Sequence, residues 1–242
     1  IDSVSLAGSL YLPDTIGKHK LAIITTGSGA PGRNELFGGH QIFGIIADYL
    51  ARNGIAVFIY DERGAGKSGG VFTTSTTRTF LTDVLNLIRY FKNHDNIDDS
   101  KIGLIGHSEG ALVAFKAAAV NQDDLAFVVS MAGPGVKIVE LFKKQAEELF
   151  NRGDINQELR ELLIAHRKEM FDAYVNNPKG THPRITLNNL CKKYAEKMSE
   201  ADVERFRMNE YGAHYFLSQV QSKWMAYFLK LEPQSYIVRT KC

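Results

Sequence analysis

Ser108 is the residue of this sequence that most readily does chemistry. It stands in Gly106-His107-Ser108-Glu109-Gly110, and a serine hydroxyl becomes a nucleophile once a positioned base takes its proton. Gly-x-Ser-x-Gly alone arises often by chance, so its surroundings decide. The apolar residues 102–105 lead straight into it, and the alanine-rich residues 111–120 leave it. A sharp strand-to-helix turn of this kind holds the hydroxyl clear of the backbone. Such a turn brings two backbones very close, and Gly106 and Gly110 remove the side chains that would collide there. The helix start behind Ser108 also points N–H groups and a partial positive charge at a developing oxyanion. The competing reading is an ordinary strand–turn–helix with an exposed serine.

A nucleophile of this type needs an oxyanion hole of two backbone N–H groups. The residue after the serine, Glu109, supplies one. The loop after an earlier strand supplies the other, and here that loop is Gly27-Ser28-Gly29. Ser28 N–H is the expected donor, with Gly29 next to it; the plain alternative is a glycine turn.

Asp61-Glu62-Arg63-Gly64-Ala65-Gly66-Lys67-Ser68 ends like a phosphate-binding loop. That motif also requires a glycine five positions before Gly66, where this chain has Asp61. The match fails, and nucleotide hydrolysis is set aside. His107 adjoins Ser108 and is expected to point away from the hydroxyl and pack structurally. His40 and His94 fall near loops or helix ends, while His166, His182 and His214 fall in a helical region; none is assigned as the base. Cys191 and Cys242 form no disulfide framework and no metal-ligand pattern. No metal or organic cofactor is expected.

The elements around these residues alternate strand and helix, the mark of a parallel α/β sheet. Residues 4–12 alternate and stop at Pro13, as an edge strand would. Apolar strands follow at 21–26, 55–60, 102–105 and 125–131. Between them lie helical stripes, Ile42, Phe43, Ile45, Ile46, Tyr49 and Leu50, then Phe80, Leu81, Val84, Leu85, Ile88 and Phe91. After Gly135 the pattern changes to charged amphipathic helices, for example 138–150, 157–171 and 213–229, with no clear strand. Residues 1–135 are therefore read as the N-terminal part of an α/β core and 136–231 as an inserted helical cap. A separate helical domain is the alternative for residues 136–231, and residues 232–242 are read as a truncated return towards the core. The cap helices are expected to cover the mouth above Ser108, with apolar residues such as Phe142, Leu149 and Trp224 either facing inward there or, for most of them, filling the cap's own core.

The 242 residues are 44% hydrophobic and 23% charged, ordinary for a chain with a large core. With 29 Lys+Arg against 27 Asp+Glu the net charge is +2. No basic run stands out, which argues against nucleic acid as a partner. No apolar stretch approaches the roughly 18 residues that a membrane span needs. The first residue is Ile1 rather than Met, so a removed leader and the compartment both stay open, as does the oligomeric state.

Four segments occur in this order: Thr26-Gly27-Ser28-Gly29, the stretch from Asp61 to Ser68, Gly106-His107-Ser108-Glu109-Gly110, and Met131-Ala132-Gly133-Pro134-Gly135. In this the chain resembles bacterial α/β-hydrolases over nearly its whole length, above all carboxylesterases of the branch grouped with serine aminopeptidases. The resemblance implies an α/β-hydrolase fold, a serine hydrolase acting on a small-molecule ester or acyl substrate, and a Ser…Asp…His order. The acid and base would then follow two strands after the cap, beyond Cys242. The sheet's C-terminal strands are accordingly expected to be missing, the chain to be a fragment, and its own ester turnover to be weak; an unusual protein without a standard triad is the alternative. The activity readings left open are an esterase acting through an acyl-enzyme on Ser108, a peptidase or thioesterase on the same machinery, and a non-catalytic binding module.

Overall fold

The computed structural model describes residues 4–29, 32–121, 124–177 and 182–240. Ile1 and Cys242, which entered the reading of the termini and cysteines, lie outside the described residues. The chain divides into two compact units, one of residues 1–135 and 232–242, the other Val136–Leu231.

The first unit is built on β1 (Gly8–Tyr11), β2 (His19–Thr25), the short pair β3 (Leu36–Phe37) and β4 (His40–Gln41), α1 (Ile42–Arg52) and β5 (Ile55–Tyr60). It continues through α2 (Thr77–Phe91), β6 (Ile97–His107), α3 (Glu109–Val120) and β7 (Phe127–Met131). Five strands make one sheet in the order β1-β5-β2-β6-β7. β1 runs antiparallel to β5 at one end, and the other pairings are parallel. This is the mostly parallel sheet with helices that the alternating pattern predicts.

Register explains the apolar runs. Ala22 is level with Val57 and Gly103, and Ile24 with Ile59 and Ile105. Side chains alternate along a strand, so these rows share one face, where Phe43 and Ala47 of α1 pack on them. The opposite face holds Phe58, whose ring meets Phe91 of α2 at 4.8 Å between centroids. With both faces covered, a strand has no polar face to show, and β2 and β5 read as continuous hydrophobic segments. The stripe of α2 is buried at Phe80, Val84, Leu87, Ile88 and Phe91, each worth about 1.5–3 kcal/mol against exposure.

The β3–β4 hairpin is absent from the reading of the sequence. Its strands have two residues each, too short for any alternation, and Gly38 and Gly39 turn it with φ of 57° and 85°.

The second unit contains α4 (Ile138–Asn151), α5 (Gln157–Val175), α6 (Pro183–Ala195), α7 (Glu200–Arg205), α8 (Glu210–Val220) and α9 (Lys223–Phe228). Its described residues hold no strand. Residues 213–229, read as one helix, form two. Ser222 accepts a hydrogen bond from the Met225 N–H and so starts α9 afresh. Phe142 packs with Phe171 and Phe228, and Trp224 stacks on Phe228 at 5.2 Å. The Leu149 side chain is largely exposed. The last helix, α10 (Gln234–Ile237), belongs to the first unit, where the Lys116 ammonium of α3 lies 4.7 Å from the Tyr236 ring centre.

Candidate active site

β6 ends at His107 and α3 begins at Glu109, so one residue, Ser108, makes the whole turn. Its backbone has φ 50° and ψ −113°, a left-handed conformation that costs a non-glycine residue about 1–3 kcal/mol. The neighbours hold it there. Ser108 N–H donates to Met131 O on β7 at 2.9 Å, and Ser108 O accepts from Ala111 N–H at 3.2 Å. The two glycines are steric necessities. A Cβ on Gly106 would lie 2.4 Å from Gly110 O, and one on Gly110 would lie 2.3 Å from Thr25 O and 2.5 Å from Thr26 O. The Thr25 hydroxyl donates to Gly110 O at 2.9 Å and ties the end of β2 to the start of α3.

The loop after β2 reaches the serine at Gly27. A Cβ there would be 3.4 Å from Ser108 Cβ and 3.0 Å from His107 Nδ1. Ser28 and Gly29 follow, both exposed, with Gly29 at φ 111°. Glu109 is the first residue of α3; its side chain is buried and accepts from the Thr77 hydroxyl at 2.6 Å. The structure thus places Ser108, Glu109 and the Gly27-Ser28-Gly29 loop together in the first unit.

Glu35 was not singled out in the sequence, yet it organises this region. Its Oε2 accepts from Gly27 N–H at 3.3 Å, and its Oε1 takes the His107 Nδ1 at 2.5 Å. His107 is therefore not simply core packing: it is partly exposed, paired with a carboxylate and edge-on to Phe43. Glu35 stands in a loop with no periodicity, 72 positions from His107, so only its charge marked it out.

The Asp61–Ser68 segment is a structural clamp. Asp61 Oδ1 accepts from the Arg33 N–H and Nε at 2.8 and 3.2 Å, while Oδ2 accepts from Arg33 Nη2 at 2.8 Å and Lys67 N–H at 2.9 Å. These hydrogen bonds, led by Arg33, lower the Asp61 carboxyl to about 2. Arg33 lies two residues before Glu35, so the clamp fixes the loop that carries Glu35. A cavity of about 420 Å³ is lined by Gly32, Arg33, Asn34, Glu35, Leu36 and Asp61. Arg63 pairs with Asp83 in a buried, two-bonded contact at 2.8 and 2.5 Å. Burial pushes the Glu62 carboxyl well above the usual carboxylate range, against a lowering contribution from the Thr26 hydroxyl.

The remaining histidines are scattered. His40 is exposed on the hairpin, and His94 Nδ1 accepts from Asn96 N–H at 3.3 Å. In the second unit His166 is buried 3.6 Å from Cys191 Sγ, His182 caps α6, and His214 is exposed. Desolvation lowers His166 to about 4, so it is neutral at pH 7. Among the described residues no group of three or more His, Cys, Asp or Glu side chains is arranged to hold a metal. No helix among them is long and apolar enough to cross a membrane.

Esterase EstD of Thermotoga maritima is 26% identical over 168 residues, which is 68% of this chain but 40% of EstD. The chain thus spans well under half the length of that curated relative. The α/β hydrolase GrgF from Penicillium sp. sh18 superposes with a TM-score of 0.57 at 18% identity, covering 100% of this chain and 74% of GrgF. The hypothetical protein PA2218 from Pseudomonas aeruginosa gives 0.54 at 18% identity, covering 98% and 71%. At that identity these two speak for the fold alone, which is that of an α/β-hydrolase. Residues 31–202, well over half of the chain, match the family described as serine aminopeptidase, S33. The chain belongs to this family of α/β-hydrolase-fold hydrolases.

Proposed function

We propose that the chain is the nucleophile-bearing part of a serine ester hydrolase that works through an acyl-enzyme on Ser108. The observation that carries this reading is the left-handed Ser108 turn, held against the Gly27 loop where a Cβ would lie 3.4 Å from Ser108 Cβ. A residue is kept in so costly a conformation where the surroundings over-determine it, and such positions cluster at active sites. The Ser108 hydroxyl attacks the acyl carbonyl, and its proton passes to a general base. The carbonyl oxygen becomes an oxyanion, received by the N–H groups of Glu109 and Ser28, with Gly29 beside them. Such donors lower the barrier because they are already aimed at the charge that develops. Collapse releases the alcohol, and water then attacks the acyl carbon to free Ser108 and the acid.

The His107–Glu35 pair takes a positioning role here. His107 Nδ1 and Gly27 N–H both converge on Glu35, which fixes the loop bearing Ser28. The residues Val136–Leu231 act as an insertion that selects the acyl group.

An esterase is favoured over a peptidase by the EstD relative, while the description of the family favours a peptidase. Comparing p-nitrophenyl esters with aminoacyl p-nitroanilides on the complete protein separates them. Ester turnover that vanishes in Ser108→Ala supports the esterase. Faster, Ser108-dependent release from the anilides moves the function to peptide bonds.

A further inference from the structure

The helical unit contains a cavity of about 320 Å³, within the range of about 300–1,000 Å³ usual for small-ligand sites. Its floor is apolar, with Leu163, Met170 and Phe216 all buried. Three arginines line it, Arg167, Arg205 and Arg207, and no aspartate or glutamate does.

Four lysines of this unit have carboxylate partners: Lys143 with Asp172 and Glu140, Lys144 with Glu147 and Glu148, Lys168 with Glu147, and Lys193 with Glu169. Among the described residues none of the three cavity arginines has a carboxylate partner. Arg167 is the telling case. Its guanidinium lies 5.5 Å from the Phe216 ring centre, and burial draws its pKa below the usual arginine value. A charge taken out of water without a counter-ion is costly, and an arriving anion relieves that cost.

The mouth is also built rather than loose. Arg207 is held at φ 53°, and its carbonyl accepts from Asn209 N–H at 2.8 Å. A Cβ on Gly212 would stand 1.9 Å from that carbonyl, so a glycine is needed for α8 to start there. The Arg205 guanidinium lies 5.0 Å from the Phe206 ring centre, at the edge of the same cavity.

We infer that this cavity binds an amphiphilic carboxylate, its apolar tail on Leu163, Met170 and Phe216 and its carboxylate on Arg167, with Arg205 and Arg207 guiding it in. A planar carboxylate suits the guanidinium fork, which can hold it with two parallel hydrogen bonds. The inference does not depend on Ser108 being a nucleophile.

The test is calorimetric titration of the full chain with octanoate, octan-1-ol and acetate. Octanoate binds, and octan-1-ol and acetate each bind at least tenfold more weakly, because one lacks the charge and the other the tail. Arg167→Met keeps the side-chain bulk and weakens octanoate by roughly 10–100-fold, the worth of a hydrogen bond to a charged group, while octan-1-ol is little affected. Arg205→Ala with Arg207→Ala, both exposed positions, lowers the association rate and flattens its salt dependence. Ser108→Ala leaves octanoate binding unchanged. Octan-1-ol binding as tightly as octanoate overturns the proposal on the unmodified protein. So does octanoate binding that survives in a folded Arg167→Met protein, or that is lost in Ser108→Ala.

Discussion

Gly110→Ala sets two effects of known size against each other. Alanine is the better helix former, by about 1 kcal/mol in a helix interior, so a surface view of α3 predicts stabilisation. The structure predicts the reverse. The added Cβ would meet Thr25 O at 2.3 Å and Thr26 O at 2.5 Å, both backbone atoms at the end of a central strand. Ordinary contact requires the two segments to part by about 1 Å, and overpacking of this kind costs about 1–3 kcal/mol or more. With the propensity gain deducted, a net loss of up to about 2 kcal/mol is expected, a fall of up to roughly 8 °C in Tm for a chain of this size. The same parting draws the Gly27 loop away from Ser108. A displacement of about 1 Å at a reacting group costs on the order of 100-fold in rate, so labelling by a fluorophosphonate should slow by that order. Gly135→Ala is the control: no atom lies within 4 Å of its Cβ position, and its effect should stay within about 1 kcal/mol. Thermal unfolding and timed labelling of the two variants read both consequences. A Gly110→Ala protein as stable as the parent and labelled as fast would refute the account of how β2 and α3 pack.

Two further perturbations address the loop. Asp61→Asn removes the charge that Arg33 holds, and Tm should fall at neutral pH. Because the folded Asp61 carboxyl lies at about 2 rather than 3.8, its stabilisation is complete above about pH 4 and disappears as pH falls through 2. The stability gap between parent and variant should close over that window; a gap constant down to pH 2 contradicts the assignment. Glu35→Ala releases both Gly27 N–H and His107, and labelling of Ser108 should slow by about tenfold, within the range for one hydrogen bond to a charged group. Glu35→Gln keeps an acceptor for Gly27 and should recover most of that rate; equal losses in both variants would show that the loop is not held through Gly27.

The parts legible in the sequence are those set by local pattern. Residues 55–60 and 102–105 are apolar without alternation because both faces of the sheet are covered, and that is visible in one dimension. The turn at Ser108 is legible because close backbone approach leaves a glycine on each side. The order β1-β5-β2-β6-β7 is not, since strand neighbours are chosen by long-range packing. Glu35 escaped for the same reason: its partners are Gly27, in the loop after β2, and His107, at the end of β6. Asp61 was weighed as part of a failed phosphate-loop match, and its role as an acceptor for Arg33 and Lys67 has no spacing rule. The break between α8 and α9 was in principle readable, because Ser222 is a good N-cap. Continuous helical periodicity through Gln221 hid it.

The central claim is that Ser108 is the nucleophile. Treating the complete protein, including the segment that carries its acid and base, with a fluorophosphonate and mapping the adduct by mass spectrometry tests it most directly. The account predicts one adduct, on the tryptic peptide of residues 102–116, at Ser108, and none in a folded Ser108→Ala protein. An adduct on any other residue, or undiminished labelling of Ser108→Ala, would contradict it.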